Sequence, residues 1–209
     1  MHLSKSETKP STRYAAARWV STIVHPIAFP LLILGVAVYA STSSPTEALR
    51  DVALAVLITS LPIALLVGVQ VLRHKWTDPD VSVRRQRYLL YPFGIACMGA
   101  LALVYAEVGA PEVALRSALA LAAANIVNGT INFFYKVSAH ATGAAASATL
   151  LWIAVPYAGL ALLATVAALL VGWSRVELKR HTWGQVLLGW SVGVVAMALA
   201  LRVSLPPRM

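Results

Sequence analysis

Long apolar segments with at most one charged residue recur along the chain, and short polar segments separate them. A membrane-spanning helix needs about 20 predominantly apolar residues, or fewer where the helix is buried among others. Segments of this kind run over residues 19–40, 52–72, 88–106, 114–134, 141–156, 158–171 and 182–201. The pattern therefore predicts an all-α fold, a polytopic integral membrane helix bundle with about six to seven transmembrane helices.

The first 18 residues are polar and basic, and no small-residue cleavage site follows the apolar segment after them. A secretory signal peptide would have a shorter apolar segment and such a site, so we expect the first helix to be retained. The pattern predicts a basic cytoplasmic tail over residues 1–18 and one transmembrane domain over residues 19–205.

Composition agrees with a membrane protein. The hydrophobic fraction is 59%, the charged fraction 12% and the mean hydropathy +0.73, which exclude an ordinary soluble monomer. The single cysteine, Cys97, lies inside a predicted span, so the sequence excludes an intramolecular disulfide and a site of several thiolates.

The net charge of +9 and the pI of about 10.1 would suit a nucleic-acid partner, but the distribution of charge favours another explanation. Basic residues gather in the N-terminal tail, in residues 73–87, at Lys136 and in residues 175–180, all beside apolar segments. Two predicted spans separate each group from the next, so all lie on one side. Cytoplasmic loops are rich in Lys and Arg, which predicts a membrane-lipid environment and no nucleic-acid partner.

The opposite loops, residues 41–51 and 107–116, carry Arg50 and Arg116 against four acidic residues. The charge difference between the two sides predicts a multi-pass protein of the cell (inner) membrane with a cytoplasmic N-terminus.

Polar side chains cluster on this predicted cytoplasmic face. Ser138 and His140 precede one apolar segment, and Ser174, Arg175 and His181 lie between the next two. Ionisable groups near membrane depth are costly and usually functional. An arginine between two histidines suits a phosphate better than a metal ion, because a guanidinium binds two phosphate oxygens at once.

These residues resemble the signatures of the type 2 phosphatidic acid phosphatase (PAP2) superfamily. Residues 174–181 resemble the third signature, Ser-Arg-x5-His-x3-Asp, and residues 136–140 resemble the second, Pro-Ser-Gly-His. Residues 80–88 are a degraded counterpart of the first, Lys-x6-Arg-Pro. The resemblance covers about residues 75–190, with the signatures in the family's order and spacing.

The resemblance implies a metal-independent, cofactor-free membrane hydrolase that acts on a lipid phosphate or a polyprenyl phosphate or diphosphate. His181 would be the nucleophile that forms a phosphohistidine, and His140 the general acid for the leaving oxygen. Further residues would hold the phosphoryl oxygens, namely Arg175 and Arg87 with Arg84 or Lys136.

Local pattern adds to this assignment. A helix that starts after Ser138 would direct its positive end and the first free N–H groups, from Ala139 onward, at the phosphate, with Ser138 as its cap. Arg84 and Arg87 would share one face if their segment is helical, and both could then reach one phosphate.

The first signature departs most from the family. Asp80 stands where the family has lysine, and Tyr88 where it has proline. Arg84, Arg85 or Lys75 could supply the missing positive charge. Residues 78–80 otherwise predict a turn in which Asp80 pairs with a neighbouring arginine.

In the other signatures, Val137 replaces proline, Ala139 replaces glycine and Gln185 replaces the final aspartate. A glutamine can orient the ring of His181 but brings no charge to stabilise an imidazolium. Gln185 also completes a Thr-x-x-Gln capping box with Thr182, which is a second explanation for it. Glu177 is a further candidate for orienting His181, or a loop charge.

Two other classes of protein stay open. Asp78 and Asp80 could belong to a Mg²⁺-dependent membrane transferase, because a hard dication prefers carboxylate oxygens. A catalytically weakened lipid-phosphate binding or transport protein would show the same hydropathy. Asn125, Asn128 and Asn132 form one polar helix face, which predicts interhelical hydrogen bonds or the lining of a substrate cavity.

Overall fold

The computed structural model describes residues 11–202, and this part of the chain contains helices and no strand. A π-helical segment, Val56–Ser60, joins α3 to α4, and a 3-10 turn, Arg84–Gln86, precedes α5. The helices are α1 Thr12–Ile23, α2 Ala28–Thr42, α3 Pro45–Ala55, α4 Leu61–Leu72, α5 Arg87–Glu107, α6 Glu112–Asn132, α7 Ala139–Ala154, α8 Ala158–Glu177 and α9 Trp183–Arg202.

Five helical stretches within residues 11–202 are long and apolar enough to cross a membrane, and α1 with α2 makes a sixth if that bent pair is one span. The five are the continuous stretch Pro45–Leu72, then Arg84–Glu107, Glu112–Asn132, Ala158–Glu177 and Trp183–Arg202. The predicted polytopic helix bundle is therefore confirmed.

Helix α7 has 16 residues, which correspond to a length of about 24 Å. It packs against α2, α6, α8 and α9. Most of its side chains are small and buried. Helix α7 is therefore a central element enclosed by other helices.

The contact between α7 and α9 brings two backbones together. A Cβ atom added at Gly193 would lie 2.2 Å from the carbonyl oxygen of Thr142, and one at Gly189 would lie 2.6 Å from that of Ser138. Neither distance leaves room for a side chain, so glycine is required at both positions. This packing places the N-terminus of α7 beside the N-terminus of α9.

The N-terminal segments differ from the hydropathy prediction. The predicted first span is divided into α1 and α2, which meet at an angle of 46° around Pro26. The Ser11 side chain caps α1 by accepting from the Tyr14 N–H, so residues 12–18 of the predicted tail are helical. Residues 1–10 of that tail, and residues 203–205 of the predicted domain, lie outside the described residues.

Candidate active site

Three loops meet at one end of the bundle and carry the predicted site residues. Loop A (residues 73–86) joins α4 to α5, loop B (residues 133–138) joins α6 to α7, and loop C (residues 178–182) joins α8 to α9. Direct hydrogen bonds connect each loop to the other two, so the three form one polar structure.

Arg87, the first residue of α5, connects loop A to loop B. Its Nε donates to the carbonyl oxygen of Val81 and its Nη1 to that of Val137, both at 2.8 Å. The side chain is buried, and its charge lies close enough to depress the pKa of His181. Arg87 therefore fixes the two loops and contributes positive potential.

Loop C has a hydrogen bond to each of the other loops. The Lys136 Nζ donates to the carbonyl oxygen of Arg180, and the Arg180 Nη1 donates to the Ser82 hydroxyl, both at 2.8 Å. Burial foremost, and then the charges of Arg87, Arg175 and Arg180, lower the pKa of Lys136. Lys136 therefore lies within the same electrostatic environment as these arginines.

The other candidates in loop A point elsewhere. Arg84 donates from Nη1 to the carbonyl oxygen of Phe133 at 3.2 Å, and its own carbonyl accepts from Asn132 at 3.2 Å. Within residues 11–202, the side chains of Arg84, Arg85 and Lys75 make no hydrogen bond or ion pair with the residues around Arg175. The structure does not bring these three into the cluster.

The end of α8 explains the spacing between Arg175 and His181. The Arg180 N–H donates to the carbonyl oxygen of Arg175 at 3.0 Å, and the Lys179 N–H to that of Val176 at 2.9 Å. Lys179 has a φ of 54°, so the helix ends in a Schellman motif. The His181 N–H also donates to the Arg175 carbonyl, at 3.1 Å. The chain thus turns back on itself, and His181 lies beside Arg175.

Gln185 determines which nitrogen of His181 carries the proton. Its Oε1 accepts from the Thr182 N–H at 3.3 Å and lies 2.9 Å from the His181 Nδ1. A backbone N–H only donates, so the Gln185 atom that faces it must be the oxygen. The same oxygen requires a proton on Nδ1, which leaves the lone pair on Nε2.

Gln185 makes the contacts of a capping residue as well as the contact with His181. The Thr182 hydroxyl accepts from the Gln185 N–H at 3.4 Å, which completes the predicted capping box. The Gln185 carbonyl oxygen of the main chain accepts from the Ser138 N–H at 3.2 Å and connects α9 to the start of α7. Glu177 instead forms an ion pair with Arg13 at 3.7 Å.

His181 is neutral at physiological pH. Burial foremost, and then the charges of Arg87 and Lys136, lower its pKa from 6.5 to about 3, while the Gln185 hydrogen bond acts in the opposite direction. A neutral imidazole with a free Nε2 lone pair is the form that attacks phosphorus.

A negative charge at position 185 should bring the titration of His181 into the measurable range. We expect Gln185→Glu, which keeps the length and both hydrogen bonds, to raise the pKa of His181. Because the neutral form is lost as pH falls through that pKa, the acid limb of kcat/KM should move to higher pH. A pH profile of phosphate release measures this shift. Gln185→Leu, which removes the acceptor, should lower the rate without such a shift; identical profiles for all three would contradict the orienting role.

Ser138 and its neighbours form the start of α7 as expected. The buried Ser138 hydroxyl accepts from the Ala141 N–H at 3.3 Å. Ala139 and His140 then occupy the first turn, where backbone N–H groups have no partner within the helix. The positive end of α7 is thereby directed to the space beside His181.

Arg175 lies at the centre of the cluster and is only 1% exposed. Its Nη2 donates to Asp80 Oδ2 at 3.0 Å and its Nη1 to the Ser21 hydroxyl of α1 at 3.1 Å. Its Nε is buried and has no hydrogen-bond partner within residues 11–202. The guanidinium thus has one free donor, Nε, and one carboxylate partner, Asp80.

Asp80 pairs with more distant residues than the sequence predicted. Its Oδ1 lies 3.8 Å from the His140 Nε2, and its Oδ2 lies 3.7 Å from the Arg180 Nε as well as 3.0 Å from Arg175. Asp78 lies 3.9 Å from Arg180. Both carboxylates thus face guanidinium groups, an arrangement that differs from carboxylates gathered around a dication.

The asparagine face on α6 makes the expected interhelical hydrogen bond. The Asn128 Nδ2 donates to the Thr142 hydroxyl of α7 at 3.0 Å, and both residues are buried. Asn125 bonds to the Leu121 carbonyl of its own helix. This face holds α7 in place beneath the cluster.

A family model described as the PAP2 superfamily matches residues 54–206, which include loops A, B and C. The chain belongs to the PAP2 superfamily. No curated protein and no solved structure matches the chain. Membership indicates phosphatase activity, and it agrees with the family suggested by the signatures.

As a PAP2 protein, the chain combines familiar and altered positions in one cluster. Gln185 and Asp80, two departures from the signatures, contact the familiar residues: Gln185 meets His181, and Asp80 meets both Arg175 and His140. Sequence reasoning missed Ser21 and Arg180. Arg180 lies within the unspecified residues of the third signature, and no signal marks Ser21, which precedes Arg175 by 154 residues.

Proposed function

We propose that this protein is a metal-independent membrane phosphatase that hydrolyses a lipid phosphate, or a polyprenyl phosphate or diphosphate, through a phosphohistidine. The observation that carries the proposal is the fixed tautomer of His181. Its Nδ1 donates a hydrogen bond to Gln185 Oε1, which leaves the Nε2 lone pair free, and its backbone N–H donates to the Arg175 carbonyl oxygen. Positive charge around phosphorus and an accessible nucleophile are the two requirements of such a reaction.

The first step forms a bond between the Nε2 of His181 and phosphorus while the P–O bond to the leaving group breaks, an ester bond in a monophosphate and an anhydride bond in a diphosphate. The departing oxygen takes a proton from His140, and the leaving group is an alcohol in the first case and the lipid monophosphate in the second. In the second step a water molecule gives a proton to His140 and attacks phosphorus, and the P–N bond breaks. Inorganic phosphate leaves, and His181 returns to its neutral form. Arg175 and the positive end of α7 stabilise the charge on the phosphoryl oxygens in both steps.

The position of the cluster favours an amphiphilic substrate. Loops A, B and C lie where several apolar helices end, so a phosphate there can keep its acyl or prenyl tail in the bilayer. Trp19 and Trp183, near the same end, are 68% and 49% exposed. Exposed tryptophans at helix ends are typical of the interface between membrane and water.

Charge supports a cytoplasmic location of the site. The site end carries Arg13, Arg18, Arg73, Lys75, Arg84, Arg85, Arg87, Lys136, Arg175, Lys179 and Arg180 among the described residues. The other end carries Arg50, Arg116 and Arg202 together with four acidic residues. This excess of basic residues on one side favours a cytoplasmic N-terminus and site in the inner membrane.

The proposed function predicts phosphate release from a panel of lipid phosphates in detergent, with EDTA present. The panel includes phosphatidate, phosphatidylglycerol phosphate, and polyprenyl mono- and diphosphates. Inorganic phosphate is measured colorimetrically, and the release should be unaffected by the chelator. Loss of activity in EDTA would point to the metal-dependent transferase class. Substrate binding without turnover would indicate a lipid-phosphate binding or transport protein.

The same assay in sealed membrane vesicles tests the orientation. A short-chain phosphatidate added outside should be hydrolysed by inverted vesicles and spared by right-side-out vesicles until detergent opens them. The opposite result would place the site on the other side of the membrane.

A further inference from the structure

The carboxylate of Asp80 lies between two groups that the proposed mechanism assigns to the phosphoryl group. Oδ2 accepts from Arg175 at 3.0 Å, and Oδ1 lies 3.8 Å from the His140 Nε2. The Arg180 Nε lies 3.7 Å from the same Oδ2. Among the ion pairs of residues 11–202, Asp80 is the carboxylate that contacts both Arg175 and His140.

A carboxylate in this position resembles part of a phosphate. Both groups present two oxygens on one atom, and a guanidinium binds either of them. A carboxylate that remained in place would repel a bound phosphate, because like charges close together in a weakly solvated site are unfavourable. The Arg175 Nη2–H that donates to Asp80 cannot make an equally strong hydrogen bond to a phosphate at the same time.

The position of Asp80 in the fold permits displacement. It belongs to loop A and follows Pro79 in a turn, while Arg175 is held within α8. Its side chain is 33% exposed, whereas that of Arg175 is 1% exposed. Movement of Asp80 towards solvent therefore disturbs fewer buried contacts than movement of Arg175 would.

We propose that Asp80 is a specificity-determining residue, an internal anion that occupies Arg175 until the phosphoryl group of a substrate displaces it. The proposal rests on the function proposed above. A lipid phosphate has further binding energy from its tail and can displace the carboxylate. Inorganic phosphate lacks that contribution, so Asp80 weakens its binding and favours release of the product.

Binding of inorganic phosphate to the detergent-solubilised full chain tests the proposal without any turnover. Isothermal titration calorimetry compares the wild type with Asp80→Asn, which keeps the shape and removes the charge. We expect Asp80→Asn to bind phosphate at least about tenfold more tightly. Asp80→Ala provides the same comparison if the asparagine variant does not fold.

Asp78→Asn is the matched control. It removes an equal charge from the same loop, but Asp78 contacts Arg180, Thr77 and Ser82 and neither Arg175 nor His140. Phosphate affinity should change by less than about twofold in this variant, because Asp78 does not occupy a donor of Arg175 and so does not compete with phosphate for it. In an Arg175→Gln background, Asp80→Asn should give no gain, since the competition is for Arg175.

Kinetics separate this role from the orientation of His140. Asp80→Asn should lower the inhibition constant of phosphate and the KM for lipid phosphate, with a smaller change in kcat. A lowered kcat with phosphate affinity unchanged would overturn the proposal, as would equal gains from Asp78→Asn and Asp80→Asn. If no lipid phosphate is hydrolysed by any variant but the binding result holds, the proposed function fails while the competition at Arg175 stands.

Discussion

His181→Ala should reduce the release of inorganic phosphate from the preferred lipid phosphate by more than about 10³-fold, because the nucleophile of a covalent mechanism cannot be replaced by a neighbour. No side chain of loop C could substitute for it: Lys179, Arg180 and Thr182 offer a charged or hydroxyl group, and none has an imidazole lone pair. The initial rate in detergent at saturating substrate measures the loss. His140→Ala should instead slow release of the alcohol while His181 stays intact.

The matched control is His74→Ala, which removes an exposed histidine of loop A. It should keep at least about half of the wild-type rate, since solvent-exposed substitutions away from a site change little. A phosphorylated protein, labile to acid and stable to alkali, should accumulate in the wild type and be absent from His181→Ala. Unchanged phosphate release in His181→Ala would remove the phosphohistidine from the mechanism.

Much of this cluster could be predicted because its parts are local in sequence. The Schellman turn fixes the distance between Arg175 and His181 within one loop, and the capping box links Thr182 to Gln185. Ser138 caps α7 through the same kind of short-range hydrogen bond. Signals of this kind depend on a few consecutive residues and are therefore readable from the sequence.

The contacts of loop A could not be predicted in the same way. Asp80 pairs with Arg175 across 95 residues, and Arg180 reaches Ser82 across 98. These pairings depend on how irregular backbone in loop A folds over α8, which no periodic pattern encodes. Arg84 shows the same limit: its spacing from Arg87 was compatible with a shared face, yet it binds the Phe133 carbonyl.

Hydropathy predicted the number and order of apolar helices better than their ends. It merged α1 with α2 because the residues around Pro26 are also largely apolar, so the bend left no gap in the pattern. It also began the second span too late. The Ser44 side chain accepts from the Glu47 N–H, and α3 begins at Pro45. The charged residues in this first part of α3 lower the local hydropathy, so a hydropathy pattern does not assign them to a membrane span.

Arg175→Gln should lower kcat/KM for the lipid phosphate by about 10²- to 10³-fold, because it removes a preorganised charge from the phosphoryl oxygens. Arg175→Lys should recover only a small part of this loss. The native guanidinium uses Nη1 for Ser21 and Nη2 for Asp80 while its Nε remains free, and one ammonium group cannot span these directions. Steady-state kinetics on the same substrate compare the variants.

Arg73→Gln controls for the general loss of positive charge, since Arg73 is exposed at the end of α4 in the same basic region. It should change kcat/KM by less than about threefold, because exposed charges are strongly screened. Equal losses in Arg73→Gln and Arg175→Gln would mean that the basic surface attracts the substrate without a defined phosphate contact. If Arg175→Lys restored the full wild-type kcat/KM, the site would need only a positive charge at this position and not the geometry of the guanidinium. The expected difference between lysine and arginine follows from burial: within the cluster, a fixed set of donors replaces water around the phosphate, and the geometry of those donors then decides the rate.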